Sequence, residues 1–474
     1  MARRRARSSL WGASADGSVS ANELAIQDSD PVRSRGGTRF RLFPQPPFLK
    51  HYRTPVVVRL SPRAGSVGPG PADNRMYVVE PIGKQRPYGI VPGPFGTPFV
   101  YLPTWDGPVQ PPAMPNPRGD FDGIEIGTPT FEAAHLYACV RWTLDIWEKY
   151  LGEVIAWHFA RDYGALEIAL LPQFDNAHSG YGFLEVGADD TGERWSSFAL
   201  NYDVVAHETG HLIIYSLLGV PDPGTTAAEY QGFHESAADL VAMLGAAHFE
   251  SVVDQLFIET SGNLYVLNEL NRFAETSEQT QIRLASNVVK MSTFADGWRD
   301  EHDLSLPLTG AIFDILCDIY HRLLIESGLI GRALVELVSL EHLYEQNEPR
   351  IQKGFDAAYA AEPAGFRQAF YGAREQLGFY LVETWRRLSP DWFSYATVGR
   401  TMLAVDRDFG ERRFQEAIAS SFRWREIGAV QIGPRQSESP RASHLRSART
   451  VTPAHRKRLP RMSYRERWAI ARGV

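Results

Sequence analysis

The sequence predicts an α+β fold: an N-terminal lobe with a mixed sheet and long helices, followed by a mainly helical C-terminal lobe. Three observations lead there. Strand-like runs rich in β-branched and aromatic residues all lie before residue 187. A long helical pattern opens at Thr128-Pro129. After Val204 the helical pattern continues almost unbroken to about residue 430. With 474 residues, 44% of them hydrophobic, the chain has length for two or three structural units and the composition of a soluble globular protein. No apolar run reaches the roughly 18 residues of a membrane-spanning helix.

Taken in order, residues 1–75 are expected to be mostly disordered or extended. Up to about residue 50 they are rich in Arg, Ser, Gly and Asp without a hydrophobic period. Tyr52–Leu60, with Val56, Val57 and Val58, reads as a strand, and Met76–Val79 as another. The N-terminal lobe then covers residues 76–220. Its section from Pro81 to Pro129 is dense in proline and glycine and should wrap a core in extended form. Thr128 is placed to cap a helix with Pro129 at its first position, running through Trp142 and Trp147 to Tyr150 and stopping at Gly152. Its His135 reads as structural. Leu166–Leu171 is a buried strand and Phe174–Val186 contains a second. Cys139 and Cys317 fall in predicted helices and read as buried thiols, not a disulfide framework.

The next helix carries the chemistry. Asn201 to Asp203 offers capping residues, Val204–Leu218 has the helical pattern, and Gly219 then Pro221 end it. Within it stands His207-Glu208-Thr209-Gly210-His211. Two histidines four apart share one helix face and can share one metal ion. Neutral imidazoles suit Zn²⁺, and a third protein ligand plus water completes a catalytic site. Glu208 lies at the edge of that face, where its carboxylate could take a proton from water. Thr226-Ala227-Ala228-Glu229 reads as a capping box for a following helix to about Phe249. On it Glu235 and Asp239 share one face, while Ala237, Leu240, Val241 and Leu244 read as core. Glu235 can reach back to the metal, and Asp239 can orient a ligand imidazole.

His-Glu-x-x-His followed by Glu-x-x-x-Asp on the next helix resembles the gluzincin metallopeptidases, specifically the thermolysin-like group. The resemblance covers roughly residues 128–325. It implies one Zn²⁺ per chain, held by His207, His211 and Glu235. Glu208 would be the general base and Asp239 the support of a ligand histidine. From His211 to Glu235 is 235 − 211 = 24 residues, slightly long for the group, so an enlarged loop is expected. The fold expectation becomes a thermolysin-like one, with the zinc cleft between the two lobes. Members of the group often bind structural calcium, but no ligand loop for it can be placed here.

Three further assignments rest on the same resemblance. An asparagine-alanine pair on an edge strand binds the substrate backbone in the group, and Asn176-Ala177 occupies that place, with His178 beside it as a rim residue. Asn263–Phe273 and Gln279–Met291 read as helices. Arg283 in Arg283-Leu284-Ala285-Ser286-Asn287 matches an arginine that bonds a substrate carbonyl; a structural ion pair is the other reading. In the group a histidine stands before a small-residue helix start and stabilises the oxyanion. His302 is taken for that role although it is eight residues before Gly310 rather than four, with His321 as the rival.

Residues 221–430 form the predicted C-terminal lobe, with two or three further helices between about Leu329 and Phe422. The tail, 431–474, is basic and expected to be disordered: from Gly433 it has 11 Lys/Arg against 2 Asp/Glu, a net of +9, which leaves −7 − 9 = −16 for the remainder. No folded nucleic-acid motif accompanies it. Met1–Arg7 is basic but no apolar segment follows, so no signal peptide is expected; the location is unassigned, cytoplasmic by default, with export by another route open. The expected function is a zinc-dependent endopeptidase acting on a peptide or protein substrate. The alternatives are a non-catalytic zinc-containing scaffold, or a zinc hydrolase acting on non-peptide amides or esters. The oligomeric state is not legible.

Overall fold

A computed structural model describes residues 36–92, 98–188, 197–266, 268, 270–273, 283–339 and 341–436. It is α+β. Strands β1 (Gly37–Leu42) and β2 (Val56–Arg63) form an antiparallel hairpin. Strands β3 (Met76–Val79), β6 (Leu166–Leu170), β7 (Ala177–Gly180) and β8 (Phe183–Val186) form a mixed sheet in the order β3-β6-β8-β7. The pairs β3–β6 and β6–β8 are parallel, and β8–β7 is antiparallel. Among the described residues β7 is therefore an edge strand. A small hairpin, β4 (Gly89–Pro92) and β5 (Pro98–Tyr101), lies in the proline-rich section.

Helix α1 (Pro129–Leu151) ties the strands to the helices. Thr128 caps it by accepting from the Phe131 amide, and Gly152 ends it at a left-handed φ of 68°. On one side Tyr137 stacks on Phe40 of β1 at 5.4 Å. On the other, Trp147 stacks at 4.9 Å on Trp385 of a later helix. His135 is buried as a structural group: Nε2 accepts from the Phe43 amide, so Nδ1 carries the proton and donates to the Ala199 carbonyl. Both cysteines are buried and free.

Beyond the sheet come α2 (Tyr202–Leu218), α3 (Ala228–Ala246) and α4 (Glu250–Thr260). Two-residue strands β9 (Arg272–Phe273) and β10 (Arg283–Leu284) pair next. Then follow α5 (Glu301–Glu326), α6 (Arg332–Ser339), α7 (Glu341–Ala361), α8 (Pro363–Trp385), α9 (Tyr395–Phe409) and α10 (Gln415–Trp424).

Several expectations change. Within the stretch expected to lack order, β1 is built into the core, burying Thr38, Phe40 and Leu42. The alternation Thr-Arg-Phe-Arg-Leu is a period of two masked by its arginines. Residues 1–35 lie outside the described residues. The described parts of Asn263–Phe273 and Gln279–Met291 form no α-helix. There asparagine amides take the place of helical bonds: Asn268 and Asn271 Nδ2 donate to the Val266 carbonyl, and Asn287 Nδ2 donates to that of Leu306 at 3.0 Å. Thr226–Glu229 is not a capping box: α3 starts at Ala228 without a side-chain cap, and Glu229 accepts from the Tyr395 amide instead. Its end at Ala246, short of Phe249, precedes the turn into α4. Among the described residues five helices, not two or three, follow Leu329. Residues 433–436 pack back on the body, where the Gln436 amide donates to the Trp298 carbonyl at 2.8 Å; the tail from 437 lies outside the described residues.

The helix pair α2–α3 meets at Gly210. A Cβ there would stand 2.8 Å from Ala238 Cα and 3.1 Å from Val241 Cβ, so only glycine allows this approach. Gly210→Ala should therefore destabilise the fold by about 1 kcal/mol net, because overpacking costs about 1–3 kcal/mol and alanine recovers up to about 1 kcal/mol in helix propensity. Urea unfolding checks this; a variant more stable than wild type would mean that the two helices have room between them.

Candidate metal centre

Helix α2 starts where Asn201 accepts from the Asp203 and Val204 amides, and ends at Gly219 with φ 82°. Between these caps His207 and His211 project from one face, their rings perpendicular and 4.8 Å apart. Donor atoms of His207, Glu208 and His211 all lie within 4.8 Å of one another. Glu235 reaches the same point from α3: Oε2 is 3.3 Å from His207 Nε2, and Oε1 is 3.6 Å from His211 Nε2. His302 adds a third imidazole, its Nε2 3.0 Å from Glu235 Oε2.

Of the two glutamates, Glu235 is the better third donor. One oxygen of Glu208, Oε2, already accepts from the Ser179 hydroxyl at 3.0 Å. Glu235 Oε2 is buried and, among the described residues, makes no bond of hydrogen-bond geometry despite the nearby ring nitrogens. An orphaned carboxylate oxygen facing imidazole nitrogens is what a metal ligand looks like without its ion. Burial alone would raise the Glu235 carboxyl; His211, His207 and His302 outweigh that and hold it well below its usual range. Burial pushes His211 down, toward the neutral form a metal needs.

Each ring has a fixed far side. His207 Nδ1 is 2.9 Å from Oδ1 of the buried Asp239, so Nδ1 carries a proton and Nε2 is left as a lone pair toward Glu235. His211 is oriented by a histidine instead of a carboxylate. The Tyr230 hydroxyl spends its one proton on the Gly219 carbonyl at 2.6 Å. It must then accept from His234 Nε2 at 3.0 Å. Burial keeps His234 neutral, so its Nδ1 is a lone pair, and it faces His211 Nδ1 at 3.4 Å. The chain of donors leaves His211 Nε2 unprotonated. His302 sits in the first turn of α5, and Asp300, the N-cap, accepts from its Nδ1 and its amide, both at 2.8 Å. His302 was expected ahead of a small-residue helix start; the helix instead runs from Glu301, with Pro307 inside it, and includes His302.

The other expected residues fall as follows. Ala177 is buried in β7 opposite Val186, and the Asn176 carbonyl accepts from the Gly187 amide. His178 is paired with Glu185 at 2.7 Å, turned away from the histidine cluster. Arg283 is in β10, and its side chain lies outside what is described. The rival His321 is buried among Tyr265, Tyr320 and Phe355, away from the cluster. Ser179, His234, Tyr230 and Asp300 are not singled out by the sequence alone. Their signals are weak but present: His234 precedes Glu235 directly, and Tyr230 is one turn before His234.

No family model matches the chain, and no curated protein does. Among solved structures, the precursor of protealysin, a metalloproteinase from Serratia proteamaculans, is similar at a TM-score of 0.40 and 14% identity, covering 69% of this chain and 84% of that one. A likeness that distant leaves the assignment to the site itself.

If Asp239 and His234 hold the two rings, Asp239→Ala and His234→Ala should each weaken metal affinity by roughly 10–100-fold with the fold retained. Competition titration against a chromophoric chelator measures it. Unchanged affinity in either variant would remove that residue from the centre.

Proposed function

We propose that the chain is a zinc-dependent endopeptidase of the thermolysin-like kind. One observation carries the reading: the buried Glu235 carboxylate faces His207, His211 and His302 while the edge strand β7 runs beside α2, which carries the two histidines of the motif. His207, His211 and Glu235 would hold Zn²⁺, two nitrogens and one oxygen being a donor set typical of catalytic zinc, with a fourth position left open. Bound there, the ion supplies a Lewis acid that acidifies water and polarises a carbonyl. A structural zinc would instead ask for four protein ligands, commonly with cysteine, and both cysteines are buried elsewhere.

The rest belongs to this chain's own side chains. Glu208 does not ligate; it takes the proton of the attacking water and hands it to the leaving amine. His302, its ring set by the contact of Nδ1 with Asp300, stabilises the developing oxyanion. Arg283 is assigned as a second donor to a substrate carbonyl. The open edge of β7, at Asn176 and Ala177, accepts an extended peptide by main-chain hydrogen bonds, which favours peptides over small esters. In this reading residues 76–220 and 221–430 are the two lobes, and α2 is the floor of the cleft between them.

Glu208→Gln should keep zinc and fold yet lower peptide cleavage by at least ~10²-fold. His302→Ala should lower turnover about 10²–10³-fold, also with zinc retained. The assay is cleavage of a peptide library with and without chelator, with zinc measured on the same samples. Wild-type rates from Glu208→Gln would refute the base assignment. A wild type that holds zinc but cleaves neither peptides nor esters would favour the scaffold.

A further inference from the structure

The edge strand does more than present a backbone. Along β7 the side chains alternate. His178 turns to Glu185, whereas Ser179 turns to α2 and meets Glu208 twice: its Oγ is 2.9 Å from the Glu208 carbonyl oxygen and 3.0 Å from Glu208 Oε2. A serine hydroxyl has one proton and two lone pairs. It cannot donate to both oxygens at once, and that is informative about what it can do.

Resting on the assignment of Glu208 as base, we infer that Ser179 is the positioning residue that holds this carboxylate in one place through both halves of the reaction. While Glu208 is ionised, the Ser179 O–H donates to Oε2. Once Glu208 has taken the proton of the attacking water, Oε2–H donates to a lone pair of Ser179 Oγ. The serine proton then rotates to the Glu208 carbonyl, which stands ready at 2.9 Å. No heavy atom moves and Ser179 neither gains nor loses a proton; the new carboxyl hydrogen and the hydroxyl hydrogen each turn about their C–O bonds. When Glu208 delivers its proton to the leaving amine, the hydroxyl turns back. A carboxylate on a flexible side chain would otherwise sample several rotamers, most of them out of reach of the water. Because Ser179 belongs to the strand on which a peptide would lie, the base is also set in register with the bound backbone.

A bond to the Glu208 carbonyl alone would be a simple tie between strand and helix, so the test must separate the two roles. Ser179→Ala removes a hydrogen bond to a charged group and should lower kcat about 10–100-fold. KM, zinc content and thermal stability should change little. Ser179→Thr keeps the hydroxyl and suits a strand, and should restore most of kcat. In a Glu208→Gln background Ser179→Ala should have almost no further effect, because residues acting as a unit are not additive. A normal kcat in Ser179→Ala, an effect confined to KM or zinc, or the same loss in both backgrounds would each overturn the role of Ser179 and leave Glu208 as base untouched. A fully active Glu208→Gln, or a wild type that cleaves nothing, would overturn the base assignment and Ser179 with it.

Discussion

The contact between α2 and α3 at Gly210 is the constraint on which the rest depends. Its missing side chain lets Ala238 and Val241 come against α2. Only at that distance does Glu235 reach His207 and His211, and only then can Asp239 and His234 stand behind the two rings. α3 is held from its other side in the same manner: a Cβ on Gly232 would meet the Tyr395 hydroxyl at 2.2 Å, and Thr309 of α5 donates to Ser236. The centre is thus placed by packing of small residues, with the polar groups added on top.

That packing buries a dense set of polar groups, which is costly unless each finds a partner. Here the partners are ordered so that lone pairs converge. Carboxylates hold the far nitrogens of His207 and His302, and a histidine–tyrosine–carbonyl chain holds that of His211. Glu235 stands at the middle, its Oε2 3.3 Å from His207 Nε2 and 3.0 Å from His302 Nε2.

Much of the centre was legible in the sequence because its geometry is local. His207 and His211 share a face by helical period alone, and Glu235 and Asp239 do so on the next helix. A strand before α2 was legible too, although Phe174–Val186 holds two strands and the edge position of the first was implied only by the resemblance. Ser179 and His234 were not, since their roles exist only when strand and helices have docked. The Asn263–Met291 region misled because asparagine amides there bond to carbonyls and stand in for the helical pattern. β1 was hidden by arginines that face outward between buried residues. His302 was expected ahead of a helix start and lies instead in the first turn of α5, with Pro307 inside that helix.

The proposed zinc site is open, with three protein ligands. The most direct measurement is a zinc-loaded crystal structure with anomalous scattering at the zinc edge. The account predicts one ion bound by His207 and His211 Nε2 at about 2.0–2.1 Å and by a Glu235 oxygen at about 2.0–2.2 Å, with a non-protein ligand in the remaining position. Zinc closed off by a fourth protein ligand such as His302, or bound anywhere else in the chain, would contradict it.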